Sequence, residues 1–220
     1  MDDMIYLLFI SIFVPIMLMA NLIEKKARLP IVFVLTGMFI SVFAAEVNGV
    51  LRAVLPLSHY ELTIIVTPIS EEVLKALPIL FYALVKSDKQ EILFTASMAT
   101  GIGFAVLENA YYLLNAETWN VMDAVIRAFG AGLMHGMCTL LVGVGITCVK
   151  KKRKVFWVGT FALLSTGITY HSIYNMLVQS RYNVIGYLLP ISTYIPSLVW
   201  RVKKHVKTSN MKNFKKEKIL

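Results

Sequence analysis

Charge is scarce in this sequence: only 16% of its 220 residues are Asp, Glu, Lys or Arg, while 57% are hydrophobic. A soluble domain carries roughly 25% charged residues, so that class is excluded. No hydrophilic stretch is long enough to fold as a separate soluble domain. The apolar residues form long runs, several reaching about 18 residues, and runs of that length read as transmembrane helices.

Other absences narrow the reading further. There are two cysteines; Cys138 and Cys148 share one apolar run and lie about 15 Å apart along a helix, too far to bridge. The start, Met1-Asp2-Asp3-Met4, is acidic where a secretory signal would be basic, so residues 6–23 read as a retained first span. Gly101-Ile102-Gly103 follows no strand and lacks the third glycine of a dinucleotide loop. Internal repeats and low-complexity segments are missing too.

What is present divides into seven spans, at 4–23, 30–54, 60–85, 91–115, 121–149, 155–179 and 183–200. The expected fold is an all-α polytopic transmembrane bundle, one membrane-embedded domain over 1–200 followed by a basic tail over 201–220. The formal net charge is +9. All Lys and Arg except Arg52, Lys75, Arg127 and Arg181 fall in the first, third and fifth loops or in the tail. Such a bias marks cytoplasmic loops beside anionic lipid, not a nucleic-acid surface. It places the N-terminus outside and the C-terminus in the cytoplasm. Most glycines lie in spans four to six, which predicts close backbone packing there.

Four spans carry ionisable or amide side chains. Span three reads Thr67-Pro68-Ile69-Ser70-Glu71-Glu72-Val73-Leu74-Lys75-Ala76-Leu77-Pro78. A charge at the bilayer centre costs about 2.5–3.5 kcal/mol on insertion scales, and here there are three. Lys75 can reach Glu71 or Glu72 on one side of a helix. A structural ion pair needs only one carboxylate, however, and the prolines leave carbonyls without donors, as beside a wet cavity. In span four Phe104, Glu108 and Tyr112 share one face; Glu108 pairs either with Arg127 or with the cavity. Span five supplies His135, with Cys138 three residues on, and span six supplies His171 and Asn175, one turn apart. Counted inward from the outer span ends, Glu71, Glu108, His135 and His171 all lie roughly 10–21 Å deep. That agreement predicts one shared polar cavity. Glu46 and Asn48 read as interfacial, and His59 and His205 need no special role.

Glu71-Glu72-x-x-Lys75, Phe104-x-x-x-Glu108-Asn109-x-x-Tyr112, Arg127 with His135-x7-Gly143, and His171-x-x-x-Asn175 stand in an order and spacing that resembles the PrsW-type intramembrane proteases. That family is related to the type II CAAX prenyl endopeptidases, and the resemblance covers roughly residues 67–179. The last motif of the best-known PrsW proteins has Asp where this chain has Asn175. Glu108, where CAAX-type enzymes carry histidine, favours PrsW.

The resemblance implies peptide-bond hydrolysis inside a bacterial cell membrane, on a single-span substrate such as an anti-sigma factor. Relatives also act in peptide maturation or bacteriocin immunity. Glu71, or else Glu72, would activate a water as general base. Lys75 would offset the carboxylate charge, His135 and His171 would orient the water or polarise the scissile carbonyl, and Asn175 would donate to the oxyanion. No His-Glu-x-x-His helix is present, and the CAAX relationship implies no metal cofactor. The alternative is zinc on Glu108, His135 and His171. Two rivals remain at the level of sequence. A proton-coupled transporter also buries ionisable residues, but it usually shows paired halves. A non-catalytic immunity or binding protein of the same fold would keep its activity after Glu71→Gln.

Overall fold

The computed structural model describes residues 4–19, 22–116, 118, 120–149 and 153–217, and no strand occurs among them. Helices are the form that lets an apolar chain satisfy its backbone groups without water. In order they are α1 (Met4–Met19), α2 (Lys25–Val54), α3 (His59–Glu61), α4 (Thr67–Val85), α5 (Gln90–Asn115), α6 (Val121–Phe129), α7 (Ala131–Ile146), α8 (Arg153–Val178) and α9 (Asn183–Glu217). A single π turn over Leu62–Val66 joins α3 to α4, and α6 and α7 meet at Gly130. Among the described residues the nine segments join into seven helices, the number that the apolar runs predict. By length and composition Lys25–Val54, Gln90–Asn115 and Val121–Ile146 can cross a membrane; Met4–Met19 and Asn183–Val199 are shorter apolar helices.

Two departures from the expected spans have local causes. The fifth span is not one helix. Gly130 sits at the break, where a β-carbon would lie 2.6 Å from the Tyr174 hydroxyl, and Asn120 and Asp123 form a reciprocal cap at the start of α6. The last helix, by contrast, does not stop near residue 200. It continues to Glu217, since no glycine or proline follows Pro196 to end it.

Close packing of α5, α7 and α8 follows the glycines, as expected, yet α2 is equally intimate. A β-carbon on Gly37 would collide with the Thr100 carbonyl, and one on Gly103 with the Val34 carbonyl, so α2 and α5 touch backbone to backbone. Gly101 likewise lies against the His135 carbonyl, which brings α7 and its histidine to the face of α5. Small residues do this work because lipid supplies no hydrophobic force between helices.

The bundle has two unlike ends. Phe33, Ile79, Leu93, Val142 and Ile146 form a buried apolar cluster near the loop carrying Lys86 and Lys89. At the opposite end, α2, α4, α5, α7 and α8 surround a polar cavity.

Candidate active site

The cavity measures about 710 Å³, and Glu71, Glu108, His135, His171 and Asn175 all line it. Four of the helices that the sequence singles out therefore deliver their polar side chains to one space. Glu72 and Lys75 do not line it. Glu72 points about 100° round the helix from Glu71, and Lys75 lies one turn further along it; both are fully buried behind the cavity wall.

Behind the wall, Lys75 Nζ donates to Glu72 Oε1 at 2.7 Å and to His135 Nδ1 at 2.9 Å. The Phe104 ring lies 4.4 Å below the same ammonium. An ammonium has no acceptor, so Nδ1 of a neutral His135 must accept, and the ring proton sits on Nε2. That N–H donates to Glu108 Oε2 at 2.7 Å. His171 Nδ1 donates to Glu72 Oε1 at 2.9 Å, which leaves its Nε2 as a lone-pair nitrogen with no protein partner among the described residues. The two histidine rings meet edge to face at 4.9 Å. Glu72 thus clamps the ammonium and His171 together.

Arg127 does not pair with Glu108. Its Nε donates to Asn109 Oδ1 at 3.1 Å, and its guanidinium stacks 4.2 Å from the Tyr112 ring. Glu108 is turned instead toward His135. The face of Phe104, Glu108 and Tyr112 is assembled as the spacing predicts, each member meeting a different cation or ring. Cys138 stays out of the chemistry: it is buried, and its thiol donates to the Gly167 carbonyl at 3.4 Å.

Asn175 is engaged where the sequence gives no hint. Thr67 N–H bonds the Leu62 carbonyl five residues back. In that π register the Thr63 carbonyl would look to the N–H of residue 68, and Pro68 has none. Asn175 Nδ2 supplies the missing donor at 3.0 Å. π turns often mark functional sites, and this one borders the cavity.

Asn48 is a residue that the sequence reading leaves at the interface. Ser70 Oγ donates to Asn48 Oδ1 at 2.5 Å, which turns the amide so that Nδ2 faces Glu71 Oε1 at 3.5 Å. Glu71 Oε2 is buried and has no partner. Arg52 and His59 also line the cavity. A sequence signal for α2 exists: Ser41, Ala45, Asn48 and Arg52 repeat every three or four residues, the period of one helical face. Glu46, off that face, takes a hydrogen bond from Tyr6.

Glu71, His135 and His171 each bring a ligand-capable atom within 4.8 Å of the others; Glu71, not Glu108, completes the set. Glu71 Oε2 and His171 Nε2 suit a metal, and the Glu72–His171 bond has the form of a carboxylate that orients a ligating imidazole. His135 does not suit it as folded, because Lys75 occupies Nδ1 and the proton on Nε2 is held by Glu108. Beyond Glu71 and His171, the three ligands of a catalytic zinc site would need a further donor such as the second carboxylate oxygen of Glu108, which also lines the cavity.

Neither the curated proteins nor the solved structures give a significant match. A family model does: the one described as PrsW family intramembrane metalloprotease matches residues 25–201, which include every polar residue that lines the cavity. With paired glutamates, two histidines and an asparagine gathered inside a helical membrane bundle, and with that match over most of its length, the chain belongs to the PrsW family of intramembrane proteases.

Proposed function

We propose that the protein hydrolyses a peptide bond of a single-span membrane protein, with Glu71 as the general base. The observation that carries this is Glu71, whose side chain lines the cavity with its Oε2 buried and unpartnered, beside His171, which lines the same space and brings a ring nitrogen within 4.8 Å of the carboxylate. A water held between them would donate one hydrogen to Glu71 and one to His171. Its oxygen would attack the scissile carbonyl carbon while Glu71 takes the proton. Glu71 would then return that proton to the departing amine as the C–N bond breaks. Glu72 is a weaker candidate because it lies off the cavity; its part is to hold Lys75 and His171. His135 would be fixed by Lys75 and Glu108, and Asn175 would supply an amide N–H to the oxyanion.

Zinc, if bound on Glu71 and His171, would lower the pKa of a water there. The hydrogen bonds at His135 favour the reading without metal. The cavity opens at the end of the bundle away from Lys86 and Lys89, so with the basic loops in the cytoplasm it would face outward. A first cut on the outer side of an anti-sigma factor in a bacterial membrane fits that placement.

A test is to incubate the detergent-purified protein with a panel of single-span proteins bearing anti-sigma-type outer segments, with and without a zinc chelator. The expected result is one cleavage, near the outer end of a span, unchanged by the chelator. Chelator-sensitive cleavage restored by zinc would overturn the metal-free reading. Failure to cut any panel member would count against the anti-sigma assignment.

A further inference from the structure

On the outer flank of the π turn, away from the cavity, lies a second depression. It holds about 310 Å³ between the π turn with α4 and the facing stretch of α8, and Ile64, Ile65, Ile69, Ile168, Ile173 and Met176 supply its apolar lining. Ile65, Ile69, Ile173 and Met176 are each between 41% and 50% exposed, as suits a surface in contact with hydrocarbon.

The groove and the catalytic cavity lie on opposite faces of the same two helical stretches, so the wall between them is one helix thick on each side. On the π turn Thr63 faces the cavity, as does Thr67 at the start of α4, while Ile64 and Ile65 face the groove. On α8 His171 and Asn175 face the cavity, while Ser172, Ile173 and Met176 face the groove. The bond that closes this wall is the one from Asn175 Nδ2 to the Thr63 carbonyl.

We infer that this groove docks the membrane span of the substrate, and that the Thr63–Asn175 bond is the closed door between groove and cavity. The inference rests on the protease reading above, and it concerns how the substrate reaches Glu71. A peptide leaving the bilayer cannot expose unpaired backbone to lipid. Here both partners of the door bond can be exchanged without loss: a substrate N–H can take the Thr63 carbonyl, and a substrate carbonyl can take the Asn175 amide. The π turn is suited to yield, since Pro68 has already removed the helical donor that would hold Thr63 in place. Opening also frees Asn175 beside Glu71 and His171, so its amide reaches the scissile carbonyl only once substrate is present.

The test is crosslinking in lipid nanodiscs. Ile173→Cys and, as a control on another lipid-facing helix, Phe43→Cys are made in a Cys148→Ser background and labelled with benzophenone maleimide. The probe is a biotinylated synthetic peptide with a Leu/Ala core of about 20 residues and a polar Gly/Ser segment before it. The groove predicts several-fold more capture from position 173 than from 43. Equal capture from both positions, or none from 173, overturns it. Capture needs no chemistry, so it should persist in the Glu71→Gln protein. Loss of hydrolysis and loss of docking are therefore separate failures.

Discussion

The ammonium of Lys75 sits 2.9 Å from Nδ1 of His135, with both side chains buried. That contact decides which ring nitrogen carries the proton, and through it the orientation of Glu108. In the proposed mechanism Lys75 would therefore position His135 as well as balance the charge of Glu72.

Lys75→Met should destabilise the protein by about 3–5 kcal/mol, because it strands the buried carboxylate of Glu72. Thermal unfolding in detergent measures this. The double change Glu72→Gln with Lys75→Met should cost less than the sum of the single changes, as contacting partners do. Strict additivity would mean that the pair carries no coupling.

Asn48→Ala should leave the fold intact and slow cleavage roughly five- to tenfold, the worth of about 1 kcal/mol for one hydrogen bond that aligns Glu71. Ser70→Ala should act in the same direction, since Ser70 sets the amide's orientation. Rates at wild-type level in both variants would remove Asn48 from the site.

Gly103→Ala should destabilise by about 1–3 kcal/mol through overpacking, because its β-carbon would run into the Val34 carbonyl. Gly159→Ala meets nothing within 4 Å and should stabilise α8 by up to about 1 kcal/mol. The two melting curves should move in opposite directions. A shared direction would contradict the packing described for α2 and α5.

Much of this site can be read in the sequence, because buried charge in an apolar run has few explanations. Glu71, Glu72, Lys75, Glu108, His135 and His171 stand out for that reason, and the similar depth of Glu71, Glu108, His135 and His171 already points to one cavity. Helical periodicity groups Phe104, Glu108 and Tyr112 correctly. What stays hidden depends on distances between helices. Asn48 lies near a span end, where polar residues are ordinary, so only the neighbouring Ser70 and Glu71 give it a role. Arg127 suits Glu108 by charge, yet it meets the neighbouring Asn109 and, one turn on, Tyr112, while Glu108 turns to His135. The π register has no signal beyond Pro68, and without it Asn175 has no reason to reach Thr63. Gly37, one of few glycines on α2, gives no warning of how closely that helix meets α5.

The most direct test compares single-turnover cleavage of one single-span substrate by the wild type, Glu71→Gln and Glu72→Gln, with thermal melts on each. The account predicts that Glu71→Gln lowers the rate roughly 10²–10⁴-fold, as loss of a general base does, with its melting temperature preserved. Glu72→Gln should act first on stability. Cleavage by Glu71→Gln within a few-fold of wild type, with Glu72→Gln folded but inactive, would contradict it and move the base behind the cavity wall.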